Sequence, residues 1–111
     1  MSRGGDALRE PTEKNDRRAA QELISAYQQE QLRRLLEQVR AGFVRFDNRE
    51  IDEFDLDDLI HHYKRSATEL WKFCGFGGGQ SHQAARMLAY LRERGEEPDW
   101  WEAGAPRRRR P

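Results

Sequence analysis

Between positions 54 and 74 the apolar residues recur at steps of three and four: Phe54, Leu56, Leu59, Ile60, Tyr63, Ala67, Leu70, Trp71 and Cys74. That spacing lays one stripe along an α-helix and predicts a helix over about residues 56–74. Asp55, with Asp58 three residues on, is the candidate N-cap, and Gly75 is the candidate stop. Lys64, Arg65 and Lys72 lie toward the negative end of its dipole. A shorter helix is predicted from Ser81 to Arg94, with Ala84, Met87, Leu88 and Leu91 on its buried side and Gly95 as its end. Gly75, Gly77, Gly78 and Gly79 make the segment between them a flexible link.

Upstream, a helix is predicted from Asn15 or Asp16, both good N-caps, to about Phe46. Its apolar positions fall into two groups. Leu23, Ile24 and Tyr27 share one side, whereas Leu32, Leu35, Leu36, Val39, Phe43 and Phe46 line another. The step from Tyr27 to Leu32, across the polar run Gln28 to Gln31, rotates the stripe by well over a quarter turn. The first group is therefore expected to pack against the third helix or against another subunit. Ile51 and Phe54 are expected to plug the end of the core from an otherwise acidic connection.

These elements predict an all-α fold: a long helix and a second helix as an antiparallel hairpin, plus a third, shorter helix packed across it. Residues 1–14 have no apolar period and are expected to form a disordered lead. Residues 15–95 make the three-helix domain. Residues 96–111 make an acidic, tryptophan-bearing segment and a basic tail, disordered or loosely docked.

Composition narrows the class. Of 111 residues, 36% are hydrophobic and 36% charged, so a small core lies under a heavily solvated surface. No apolar run approaches the roughly 18 residues of a membrane span, and no signal-peptide segment opens the chain. A single cysteine excludes an internal disulfide, and a cytoplasmic location is expected. Net charge is zero, which argues against a general polycation. The charge is segregated, however. Asp47, Glu50, Asp52, Glu53, Asp55, Asp57 and Asp58 face only Arg49 over residues 47–58, Glu96, Glu97, Asp99 and Glu102 form a second acidic group, and Arg107–Arg110 are a basic run.

Candidate chemistry changes this picture little. As a calcium loop starting at Asp47, the acidic connection has Arg49 third, Ile51 fifth and Asp52 where glycine is required. His61, His62, His82 and Cys74 lack zinc spacing, and adjacent helical histidines diverge by about 100°. Gly75–Gly79 before Ser81 follows a helix and carries Gln80 where a phosphate loop has lysine, leaving at most a modest anion site at residues 81–83. Cys74 falls inside the apolar stripe and is a core residue rather than a nucleophile. No cofactor and no catalytic group are expected. The step from Leu56 to Tyr63 and the later Cys74 resemble the helical hairpin of the exonuclease VII small subunit. Here the tyrosine-to-cysteine spacing is longer and the glycine after the tyrosine is absent, so nothing functional is carried over.

Trp100 and Trp101, flanked by Pro98 and acids, either clamp over helices two and three or anchor a partner. If they are anchors, replacing both by alanine abolishes binding and spares helicity; if they clamp, the fold suffers. The expected function is a non-enzymatic protein-interaction module, a homodimer being one form of it, that uses Leu23, Ile24, Tyr27, Trp100 and Trp101. The alternative is a nucleic-acid-associated accessory protein, with Arg107, Arg108, Arg109 and Arg110, helped by Arg33, Arg34 and Arg40, contacting phosphates in a salt-dependent manner.

Overall fold

The computed structural model describes residues 3–75 and 81–106, with side chains from Lys14 onward. Helices α1 (Arg3–Asp47), α2 (Glu53–Cys74), α3 (Ser81–Glu93) and α4 (Trp100–Ala103) account for it, with no strand among the described residues. α1 and α2 form the expected antiparallel hairpin: Gly42 lies beside Leu56 and Leu59 at the turn end, and Tyr27 meets Phe73 at the other. α3 packs chiefly on α1, and α4 packs on α2 and α1. The all-α architecture is as the periodicity predicts. Residues 76–80, the predicted glycine link, lie outside the described residues.

Two boundaries differ from expectation. α1 begins at Arg3 rather than near Asn15. Extending a helix costs far less than nucleating one, and no apolar stripe is needed to add turns to an existing end. α2 begins at Glu53, one turn ahead of the predicted start, because Asp52 rather than Asp55 is its N-cap. The Asp52 carboxylate accepts from the Asp55 N–H at 2.9 Å, and the Asp55 carboxylate accepts from the Asp52 N–H at 3.1 Å, a reciprocal capping box. With the helix opened that early, Phe54 falls on the far side of α2 and is 81% exposed, so it plugs nothing. Ile51 is half-buried.

The α1–α2 turn is a Schellman closure carried by arginine. Arg49 has φ 63°, the Glu50 N–H donates to the Arg45 carbonyl at 2.8 Å, and the Arg49 N–H donates to the Phe46 carbonyl at 3.0 Å. α3 ends in the same pattern: Gly95 has φ 76°, and the Glu96 N–H donates to the Leu91 carbonyl at 2.8 Å. Only the second site has the residue this backbone favours. Arg49→Gly is therefore expected to stabilise the fold by about 1 kcal/mol, read as a higher urea midpoint at unchanged slope. An unchanged or lower midpoint would contradict that account.

The core consists of Ala20, Ile24, Tyr27, Leu35, Leu56, Leu70, Cys74, Ala84 and Leu88, with Ser66 fully buried among them. The buried stripe of α1 runs through Ala20, Ile24, Tyr27, Gln28, Gln31 and Leu35, continues over half-buried Val39 and is buried again at Gly42. The apparent rotation in the sequence arises because Gln28 and Gln31, polar by type, occupy buried positions. At Gly42 the close approach is specific: a Cβ there would run into the Leu59 side chain. No helix among the described residues is long and apolar enough to cross a membrane.

Candidate functional site

Ile24 and Tyr27 are core residues, joined in one cluster by Leu70 and Cys74 of α2 and by Ala84 and Leu88 of α3. Of the two coverings expected for that side of α1, the third helix supplies one, together with the end of α2. Leu23 is 49% exposed and lies apart from them, so the three residues do not form one surface.

The tryptophans sit in an internal strap. Gly95 turns the chain out of α3, residues 96–99 cross toward α1, and α4 lies along α2. Asp99 caps α4, accepting from the Glu102 N–H at 3.1 Å. The Trp100 indole N–H donates to the Tyr27 hydroxyl at 2.8 Å, and its ring packs on Phe73 at 5.2 Å. Trp101 stacks on the His62 ring at 3.5 Å. The Trp101 carbonyl accepts from His62 Nε2 at 2.7 Å and from the Ser66 hydroxyl at 3.1 Å, which places the imidazole proton on Nε2. Arg65 Nε donates to the Gly104 carbonyl at 2.8 Å. The clamp thus closes over α1 and α2 rather than over α2 and α3.

Arg92 and Glu97 secure the start of the strap through two hydrogen bonds of 3.0 Å, and the Arg92 guanidinium lies 5.6 Å from the Tyr27 ring centre. That pairing holds the Glu97 carboxyl below its usual range. Burial raises the Tyr27 phenol above its ordinary value.

Cys74 is fully buried, and desolvation pushes its thiol up to about 11. A thiol whose folded value exceeds its unfolded one contributes stability at neutral pH, and this is lost as the pH rises. Unfolding stability is expected to fall between about pH 9 and pH 11 by up to 1.4 kcal/mol per unit, and Cys74→Ala is expected to flatten that decline. Urea titrations across this range check it; an identical slope in the variant would remove Cys74 as the cause.

The other sequence candidates are dispersed. His61 contacts its own helix through the Asp57 carbonyl at 2.9 Å, while His62 faces the strap. Among the described residues no three His, Cys, Asp or Glu side chains converge to hold a metal. Arg33 and Arg34 share Glu30, and Arg40 pairs with Glu37, all at exposed positions. Arg107–Arg110 lie outside the described residues.

A different surface stands open. Leu36 is 50% and Phe43 46% exposed, flanked by half-buried Leu32 and Val39 on α1 and by half-buried Ile60 on α2. On helical periodicity these residues share the face of the hairpin opposite the strap. The spacing of Leu32, Leu36, Val39 and Phe43 was visible as a stripe, but nothing in the sequence marked it as the uncovered one. No protein-family model, curated protein or solved structure matches the chain.

Proposed function

We propose that this chain is a small, non-enzymatic protein-interaction module of the reducing cytoplasm, in which the hairpin face around Leu36 and Phe43 meets its partner. The observation that carries this reading is the apolar row Leu32, Leu36, Val39 and Phe43 on α1, in which Leu36 and Phe43 stay about half exposed. Contiguous apolar surface of this kind is unfavourable in water and marks binding sites more often than isolated exposed leucines do. The strap has the opposite character: its tryptophans already have internal partners. A lone buried cysteine suits a compartment in which it stays a thiol.

The test is cross-linking and mass spectrometry of the full chain in its native lysate, comparing wild type with Leu36→Glu and Leu23→Glu. The expected result is one discrete cross-linked species, self or heterologous, lost in Leu36→Glu and kept in Leu23→Glu. Equal loss in both variants, or no discrete species at all, would remove the reading.

A further inference from the structure

We propose that the basic run Arg107–Arg110 docks on the outer face of the first turns of α2 in its own chain, setting guanidinium groups on the Asp55 and Asp58 carboxylates and the Phe54 ring. The strap delivers it there. Trp100 packs on Phe73, the Trp101 carbonyl is held by His62 and Ser66, and Pro106 lines one groove with Asp55, Asp58, Leu59 and His62. The strap therefore travels along α2 toward the N-terminus of that helix, and Pro106 stands beside its acidic end. Arg107–Arg110 follow directly in the sequence.

The face ahead of Pro106 suits these four residues in charge and in chemistry. On helical periodicity Phe54, Asp58, His61 and Arg65 share one side of α2, with Asp55 and His62 at its edge. Phe54, at 81%, is the most exposed of the large apolar side chains among the described residues. The Asp58 carboxylate has no ion pair among them, and Asp55 gives one oxygen to the Asp52 N–H at 3.1 Å while keeping its charge. An aromatic ring beside two carboxylates fits arginine in particular, because a planar guanidinium stacks on the ring and its N–H fork bonds a carboxylate. Arg65, held by the Gly104 carbonyl at 2.8 Å, stands at the near end of this face, and its like charge drives the run onward to the acids.

The reach agrees. From Arg65 back to Asp58 the helix rises about 10 Å, and to Phe54 about 16 Å, while four extended residues span about 14 Å before their side chains are added. The tether also selects the occupant: a short link holds the run at an effective concentration in the millimolar range, which a second copy in dilute solution does not match. Docked in this way, the four arginines are withheld from outside polyanions.

The test is paramagnetic broadening in the full chain, with a nitroxide on Pro111→Cys; Cys74 is buried and stays unlabelled. At low ionic strength the amide signals of residues 54–58 are expected to be lost, and those of residues 20–24, at the far end of the hairpin, to be kept. The lost signals are expected to return near 1 M salt, where the screening length is about 3 Å. They are expected to return at low salt in Asp58→Lys and, in part, in Phe54→Ala, both exposed positions, with unchanged circular dichroism. Signals of residues 54–58 that persist in the labelled wild type, or that are lost equally in Asp58→Lys, would overturn the proposal. Nitroxide-bearing chains mixed with separate isotope-labelled chains are expected to broaden nothing; broadening there would place the run on a second copy and overturn it equally.

Discussion

Trp100→Ala is expected to lower unfolding stability by about 3 kcal/mol, the lower end of the range for removing a packed aromatic. Two contributions combine. The indole ring leaves Phe73 without its 5.2 Å neighbour, and the Tyr27 hydroxyl loses the donor at 2.8 Å while remaining largely buried. An orphaned buried hydroxyl adds a desolvation penalty to the missing van der Waals contacts. Urea unfolding followed by circular dichroism gives the value. A loss below about 1 kcal/mol would mean that the strap is an ornament on a core complete without it. Trp100→Phe keeps an aromatic ring near Phe73 but loses the N–H and part of the indole's packing area, so its smaller loss sets an upper limit on the hydrogen bond's share.

Gly104→Ala is expected to have an effect of similar size by a different route. The φ of Gly104 is −98°, open to any residue, so backbone conformation is not the issue. Space is: a Cβ at this position would run into the Ser66 hydroxyl and the Ser66 backbone itself. Backbone on α2 cannot step aside as a flexible side chain would, so α4 must lift from the helix. The bonds from Arg65 to the Gly104 carbonyl and from His62 and Ser66 to the Trp101 carbonyl then lengthen together. A loss of about 2–3 kcal/mol is expected, with a red-shifted tryptophan emission and little change in helicity, since α4 is only 4 residues long. Unchanged emission together with unchanged stability would show that the approach of Gly104 to Ser66 is not tight.

The hairpin was legible because α2 and the second half of α1, from Leu32 to Phe46, each show a regular apolar step and α2 has a glycine at its end. The N-cap of α2 was legible in kind but misplaced. Asp52 and Asp55 have the same three-residue spacing as Asp55 and Asp58, and only the downstream pair adjoined the apolar run. Ile24 and Tyr27 were legible as apolar but not as core, because the glutamines beside them concealed the stripe's continuity. The strap was half legible: Trp100 and Trp101 announced burial, but their acceptors did not. Ser66 was the better signal, a small hydroxyl in the buried register of α2 between Tyr63 and Leu70, where a close backbone approach from elsewhere finds room. The open face at Leu36 and Phe43 was not legible at all, since periodicity shows which residues group together and not which group is left uncovered.

Gln28, Gln31 and Gly42 bear on how α1 is placed along its axis. Both glutamines are buried, and Gln28 Nε2 has no hydrogen-bond partner among the described residues. A purely aliphatic stripe would allow α1 to slide by one turn against α2 and α3 at small cost, because each leucine would find another leucine's site. Gln28 does not prevent such a slide, because it carries the penalty of an unpartnered buried amide, about 1–3 kcal/mol, in the native alignment itself. The single alignment is set instead where Gly42 meets the Leu59 side chain, an approach that no other position on the stripe, each bearing a side chain, can make.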